Sequence, residues 1–502
     1  MKRKETLLLL LLTFAALLVS GYHPWAEDAE IYLPGVEKLL HPELFPFNAQ
    51  FFEDHASHTV FRYLIAESVR FTHLPLATVL FVLQLTSIFL LFLACWQLIG
   101  RCFPDRNARW AGVSLIAALL TLPIAGTALY ILDQYLDPRN LAAFAMIFAI
   151  VSVLDRKFVR ACVLLALAAV IHPLMAAFAI LYCGLLIAVQ NNGAYPATVA
   201  ALVPFGLTLD PPNYAYDQVA LHHPEHYITH WTWYELLGAI APLFILGWMT
   251  RFARSRGMRN LELLCRTLVI YLLFCLPIAL VFSIFPRFEA LARLQPMRSL
   301  YLLYILMFLF GGGLLGQYVL KNRMWRWLVL FVPLCTGMFV AQRTLFPVSA
   351  HIEWPWSTPR NGWVQAFEWV QQNTPVNSVF ALGTDYMELP SAEQQGFRAV
   401  AERSRLADER DAGAASMFPT LAEEWLRQSQ AQRGWENFSR VDFERLHAQY
   451  GVTWVIIQAS DPQDIECPYE NDAVKVCRLD SAQSEPVRTA GATGTNVPSR
   501  MK

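Results

Sequence analysis

The stretch that decides the fold is LLLLLLTFAALLVS at residues 7–20, followed directly by GYHPWAEDAEIY at residues 21–32. The first part is an apolar run that predicts a membrane-spanning helix. The second part carries three carboxylates, Glu27, Asp28 and Glu30, at the expected boundary between lipid and water. Because ionisable groups at membranes often mark functional sites, we expect Asp28 to be a catalytic or metal-binding acid. The alternative is that these acids only cap and solvate a helix in the loop.

Composition extends the membrane prediction to the whole chain. Of its 502 residues, 55% are hydrophobic and 16% are charged, whereas about a quarter of the residues in a soluble domain are charged. Several apolar runs exceed the roughly 18 residues that cross a bilayer. We therefore expect a polytopic α-helical membrane protein with about 11 transmembrane helices. A net charge of −1, with no cluster of Lys and Arg on a soluble segment, gives no case for nucleic-acid binding, and we expect no nucleic-acid partner.

The positive charges predict an orientation. If the basic clusters face the cytoplasm, the N-terminus lies inside and the C-terminus outside. A cleaved signal peptide would also begin with a basic start and a short apolar core; we favour a retained anchor. The expected spans are residues 7–20, 74–99, 110–132, 140–154, two within 158–189 that turn at His172-Pro173, 196–209, 231–249, 263–285, 299–320 and 327–345. The outer loops are then residues 21–73, 133–140, 210–230 and 286–298.

The composition changes after this membrane domain of residues 1–345. Residues 346–480 are expected to form a small α/β domain outside the membrane, and the polar residues 481–502 a disordered tail. Helical spacing predicts helices over 363–371, 421–432 and 441–450, and short apolar runs predict strands over 378–382 and 452–457. Cys467 and Cys477 flank a turn in this domain, so a hairpin disulfide is expected in an oxidising compartment.

The second outer loop carries Asp133, Asp137 and Arg139. An acid here that faces Asp28 would complete a metal site or an acid/base pair, and we favour Asp133, with Arg139 beside it as a substrate contact. Asp137 precedes Pro138 and is equally explained as a helix cap. Oxygen ligands suit Mg²⁺ or Mn²⁺, and the candidate ligands are Asp28 and Glu27. Glu27 and Glu30 are also candidate substrate contacts.

The third outer loop is rich in histidine. His222, His226 and His230 recur every four residues, and such a helical face can hold zinc, although Pro224 interrupts it. The alternatives are a sugar-binding pocket, in which we expect His222, or an anchor at the membrane interface. His172 is either a helix-breaking core histidine or, if its turn faces outward, a residue of the same site.

Positive charge also stands on the expected outer side, at Arg287, Arg293 and Arg298. A guanidinium suits a lipid phosphate or diphosphate, so Arg293 and Arg298 are candidate substrate contacts. The alternative is that these side chains reach the lipid headgroups without binding a substrate.

Taken together, these features resemble the GT-C superfamily of integral-membrane glycosyltransferases. The resemblance rests on Glu27-Asp28 after the first span, interfacial helices in the first loop, Asp133, Arg298 and the outer α/β domain. The phrases AFEWVQQNTP at residues 366–375 and YGVTWV at residues 450–455 are similar to those of bacterial members and uncharacterised relatives.

The resemblance implies a bacterial inner-membrane enzyme with a periplasmic C-terminal domain. Its donor would be a polyprenyl-phosphate-linked sugar, with Asp28 as the base that deprotonates an acceptor hydroxyl and Arg298 on the donor phosphate. The motif Glu-Asp-Ala-Glu departs from a plain acidic pair, and no Trp-Trp-Asp signature is present, which argues against an oligosaccharyltransferase. The rival is a transporter, a flippase or a non-catalytic envelope-assembly component. Acids in loops and the lack of a visible repeat favour an enzyme.

Overall fold

The computed structural model describes residues 3–191, 213–285, 289–461 and 465–479. Of these described residues, 69% are helical. Its first part contains, in chain order, α1 (Arg3–Ser20), α2 (Ala29–Leu40), α3 (Gln50–Ser57), α4 (Phe61–Thr72), α5 (Leu76–Cys102), α6 (Arg106–Ala118), β1 (Pro123–Ile124), β2 (Leu129–Tyr130), α7 (Pro138–Leu154), α8 (Phe158–Ile171), α9 (Pro173–Gln190), α10 (Tyr214–Leu221), α11 (Trp233–Ser255), α12 (Arg259–Ile284), α13 (Glu289–Ala292), α14 (Leu300–Leu315) and α15 (Met324–Leu345).

Six helices among the described residues are long and apolar enough to cross a membrane. They are α5, α9, α11, α12, α14 with its flanking turns (Pro296–Leu320) and α15. The prediction of a helical membrane protein is thus supported, whereas the count of about 11 spans is not confirmed. Two apolar helices, α7 and α8, are shorter, and α1 begins with the charged residues Arg3, Lys4 and Glu5. The expected span at residues 196–209 lies outside the described residues.

The span expected over residues 110–132 is wrong. Helix α6 ends at Ala118, and the antiparallel pair β1–β2 follows, with Pro123 opposite Tyr130 and Ile124 opposite Leu129. The turn between the strands needs Gly126, because its φ is +52° and a Cβ there would lie 2.4 Å from the ring of Trp231. This hairpin brings a non-helical segment to the edge of the candidate site.

The break expected at His172-Pro173 is confirmed. Helix α8 ends at Ile171, and α9 begins at Pro173, where the missing N–H of proline is harmless. The His172 ring accepts a hydrogen bond from the backbone N–H of Met175 at 3.4 Å and so caps α9.

The last part contains a small sheet with helices on both faces. Its elements are α16 (Gly362–Asn373), β3 (Val379–Ala381), α17 (Phe397–Ala401), β4 (Ser404–Arg405), α18 (Glu409–Met417), α19 (Ala422–Ala431), α20 (Arg440–Tyr450), β5 (Trp454–Gln458), β6 (Tyr469–Glu470) and β7 (Val474–Arg478). The strand order is β4-β3-β5-β7-β6. β3 runs parallel to β4 and β5, and β7 is antiparallel to β5 and β6.

The sequence predicts half of these elements, whereas α17, β4, α18, β6 and β7 were not predicted. Each expected helix and strand is present within a few residues, and Asn361 caps α16 by accepting the Trp363 N–H at 2.8 Å. Cys467 and Cys477 are joined by the expected disulfide. The helices bury aromatic residues on each side of the sheet: Trp363 and Phe367 pack on one face and Phe443 on the other. The expected tail, residues 481–502, lies outside the described residues.

The loop after α1 joins the two parts of the chain. Isolated bridges pair Tyr22 with Ile352 and Ala26 with Gln395. His23 is fully buried, hydrogen bonds to Glu353 at 2.8 Å and stacks on Phe346 with ring centroids 3.7 Å apart. The acidic stretch is therefore fixed against the C-terminal part rather than free in solvent.

Candidate functional site

Asp28 stands at the N-terminal end of α2, but its carboxylate does not cap the helix. The side chain makes no capping hydrogen bond and is 32% exposed. Its backbone N–H donates to the Tyr135 hydroxyl at 3.4 Å. The preceding residue, Glu27, has a left-handed φ of +57° and donates its N–H to the Gln394 carbonyl at 2.8 Å. Since a non-glycine residue in that conformation costs about 1–2 kcal/mol, tertiary contacts must hold this turn. The capping alternative for Asp28 is not supported.

Arg410 on α18 supplies the positive charge beside these acids. Its Nη2 lies 3.1 Å from Glu27 Oε2, and its Nη1 lies 3.9 Å from Asp28 Oδ1. Burial raises the pKa of Glu27, and the charge of Arg410 works against that rise. The sequence analysis missed Arg410, because no local pattern relates α18 to the loop after α1.

A buried cluster of three charges follows the hairpin. Arg139 Nη2 lies 2.7 Å from Asp133 Oδ2 and 2.9 Å from Asp137 Oδ2. Burial raises the pKa of both aspartates, and Arg139 opposes the rise. Two carboxylates around one buried guanidinium favour retention of a proton on the pair. Asp137 also accepts the Asn140 N–H at 2.7 Å, as expected for the cap of α7.

Electrostatic contacts connect Asp28 to residues from distant parts of the sequence. Its charge acts on Asp133 and Arg139 in the second loop and on Arg298 before α14. The charges of Arg139 and Arg298 in turn act on His172. Electrostatic interactions therefore link five of the predicted site residues into one neighbourhood: Asp28, Asp133, Arg139, His172 and Arg298.

His55 of α3 is a member of this neighbourhood that the sequence analysis did not identify. Its ring forms a hydrogen bond with the Tyr32 hydroxyl at 3.0 Å. Burial lowers the pKa of His55 to about 4, and Asp28 works against that shift. A neutral imidazole therefore lies near the Asp28 carboxylate at neutral pH.

Arg298 has charged neighbours but no direct partner. Among the described residues, its half-buried guanidinium makes no hydrogen bond and no ion pair. It lines a small cavity together with Thr127, Glu225, His226 and Gln295. Because a guanidinium removed from water needs an acceptor, this position suits an anionic ligand.

Glu30 points away from Asp28 into a buried ion network. Its side chain is 0% exposed and accepts the backbone N–H groups of Arg398 and Ala399 at 2.7 and 3.3 Å. Arg405 Nε donates to its other oxygen at 2.9 Å. Arg405 also pairs with Asp408 and Asp411. This geometry does not support the prediction that Glu30 contacts the substrate. Glu30 instead links α2 to the C-terminal part through these hydrogen bonds and ion pairs.

The histidine spacing does not produce the helical face that could hold zinc. Pro224 ends the helical pattern, and two 3₁₀ turns, Pro224–His226 and Ile228–His230, replace the helix. His222 is exposed and packs edge-on against Trp425 with ring centroids 5.1 Å apart, and among the described residues it makes no contact with Asp28.

Arg293, another arginine predicted as a substrate contact, is buried on the connection between α13 and α14.

A different donor set forms at this turn. His223 Nδ1 lies 2.9 Å from Glu225 Oε1, and His226 Nε2 lies 3.7 Å from the same oxygen. Burial lowers the pKa of His226 to about 3. Burial alone would raise the pKa of Glu225, but the hydrogen bond and charge of His223 lower it to about 2. At neutral pH the turn therefore presents an anionic carboxylate beside a neutral imidazole.

A cavity of about 510 Å³ lies between the first loop, the hairpin and this turn. Its lining includes Glu27, Tyr130, Glu225, Trp231 and Glu235. Within the described chain, His223, Glu225 and His226 form the group whose donor atoms are close enough to share a metal ion. Glu27 and Asp28 instead share Arg410, so a cation there would have to displace the guanidinium.

Comparison of the sequence with models of known protein families and with curated proteins finds no match.

Proposed function

We propose that this protein is a membrane glycosyltransferase that moves a sugar from a polyprenyl-phosphate donor to a lipid, glycan or protein acceptor. The observation that carries the proposal is the Asp28 carboxylate. It is not used as a cap, is held beside Arg410 and acts electrostatically on Arg298, whose guanidinium has no partner among the described residues. An available base and an available phosphate-binding cation are the two groups that this transfer needs.

In the proposed reaction, Asp28 accepts the proton of the acceptor hydroxyl. The acceptor oxygen forms a bond to the anomeric carbon, and the bond from that carbon to the phosphate oxygen breaks. Polyprenyl phosphate leaves with the electron pair, and the configuration at the sugar carbon inverts. Arg298 binds the phosphate that gains charge, and Arg410 favours the ionised state of the acids.

The proposed location is the outer face of a bacterial inner membrane, with the C-terminal part in the periplasm. Six helices among the described residues are long and apolar enough to support a membrane setting, and the Cys467–Cys477 disulfide supports an oxidising compartment. A Mg²⁺ or Mn²⁺ ion at Asp28 and Glu27 stays a separate proposal, since Arg410 contacts both carboxylates.

The experiment is to compare lipid-linked sugars and glycans, by mass spectrometry, in cells with and without the protein. If the protein is a glycosyltransferase, its deletion leaves the polyprenyl-phosphate sugar unconsumed, and the product lacks one sugar. If the deletion instead leaves every glycan complete but on the wrong side of the membrane, the protein is a flippase and the proposal is wrong.

A further inference from the structure

The turn after α10 carries three donor side chains that the proposed transfer reaction does not use. They are His223, Glu225 and His226, and they lie within 4.8 Å of one another, measured between donor atoms. The two imidazole rings are stacked, with centroids 5.2 Å apart and planes 15° from parallel. The 3₁₀ turn at Pro224 places residues two and three apart on one side. This arrangement exists because the helix predicted from the histidine spacing does not form.

We infer that His223, Glu225 and His226 bind one Zn²⁺ ion, with a fourth coordination position open to the cavity of about 510 Å³ that Glu225 lines. Two histidines and one carboxylate are a ligand set found in zinc sites that keep an exchangeable position. The separations of 2.9 and 3.7 Å from Glu225 Oε1 to the two ring nitrogens are close to the spacing of ligands around a zinc ion with bonds of about 2.0–2.2 Å. Nitrogen donors disfavour Mg²⁺, which separates this site from the one discussed at Asp28.

The surroundings of the donors also fit a metal site. Gln295 donates from Nε2 to His226 Nε2 at 2.6 Å, while its buried Oε1 has no hydrogen-bond partner in the described chain. Rotation of the Gln295 amide group by half a turn would exchange the positions of Nε2 and Oε1 and direct the oxygen toward the ion. Gln295 has a left-handed φ of +48°, a conformation that costs an ordinary residue about 1–2 kcal/mol.

The open position determines what the ion can contact. Glu225 lines both the cavity of about 510 Å³ and the small cavity that contains Arg298. An anionic group bound to the ion would therefore lie near the Arg298 guanidinium, which has no partner within the described parts of the chain. This is a second positive centre, separate from the pairing of Arg410 with Glu27 and Asp28.

The test is metal binding by the full-length protein in detergent. Protein is stripped with a chelator, dialysed and titrated with ZnCl₂ against a chromophoric competitor, and bound zinc is counted by elemental mass spectrometry. We expect one zinc per chain, and at least a tenfold loss of affinity in His226→Gln and in Glu225→Gln. The matched controls are His222→Gln in the same segment and His41→Gln in the first loop, which change exposed histidines and should bind like the wild type.

The inference is overturned if the wild type binds no zinc, or if the controls lose as much affinity as His226→Gln. Should His226→Gln fail to fold, His223→Gln and the X-ray absorption spectrum of the zinc-loaded wild type decide. The spectrum should show imidazole scattering with nitrogen or oxygen at about 2.0–2.1 Å. A spectrum with sulfur ligands, or without imidazole, contradicts the site.

Discussion

Replacement of Arg405 by Gln should release the C-terminal part from the first loop. Arg405 is 1% exposed and lies 2.8 Å from Glu30, 2.7 Å from Asp408 and 3.1 Å from Asp411. Without it, three buried carboxylates face the single guanidinium of Arg398. Removal of one partner from a buried ion pair typically costs about 3–5 kcal/mol. The population with the contact open should therefore rise roughly 100-fold or more, since 1.4 kcal/mol is a factor of ten.

The assay is limited proteolysis under native conditions, together with thermal unfolding in detergent. The matched control is Arg440→Gln, which removes an exposed pair with Glu444 on α20 and should cost about 0–1 kcal/mol. Burial raises the pKa of Asp408 to about 6. The carboxylates of Arg405→Gln should accept protons as the pH falls, so its deficit should shrink toward pH 5. Equal proteolysis of Arg405→Gln and Arg440→Gln would refute the assignment of Glu30 to this network.

Three further outcomes are expected. Arg298→Gln should raise the KM for the sugar donor roughly tenfold or more in a transfer assay, because a charge-assisted hydrogen bond contributes about 1.5–3 kcal/mol. Arg298→Lys should recover part of this loss. An unchanged KM in Arg298→Gln would contradict the role of Arg298 in phosphate binding. Burial raises the pKa of Asp133 to about 7, so its contribution to stability is present below about pH 4 and is lost as the pH rises through 7. Melting temperatures from pH 4 to 8 should therefore fall less steeply in Asp133→Asn, and an identical slope counts against the raised pKa. Reduction of the Cys467–Cys477 bond should add two hydrogens by mass and cost about 2–3 kcal/mol of stability; two free thiols before reduction would exclude the bond.

The sequence analysis was most successful where structure is set by local pattern. Apolar periodicity and a capping asparagine predicted α16, and short apolar runs predicted β3 and β5. The hairpin at residues 123–130 was missed because its apolar residues continue the run of α6, although Pro123 and Gly126 were available as turn signals. The histidine spacing gives no common helical face, because Pro224 removes the helix that would align those side chains, as the sequence indicates.

The candidate site could be predicted only in part. Asp28, Asp133 and Arg298 were expected together because each lies at the end of an apolar segment on the same predicted side. Arg410 could not be found in this way, since its contact with Glu27 crosses the chain from α18. The ion pairs of Glu30 with Arg398 and Arg405 could not be predicted either. Only the fold distinguishes an acid that faces a cavity from an acid that faces two arginines.

The central claim is that Asp28 is the base of a sugar transfer, and one substitution tests it most directly. Asp28→Asn keeps the size of the side chain and removes its basicity. In a deletion strain, this variant should be produced at the wild-type level, yet the glycan profile of the cells should remain that of the deletion strain. Glu43→Gln, which changes an exposed acid of the same loop, should restore the wild-type profile. Restoration of the full product by Asp28→Asn would contradict the proposed mechanism.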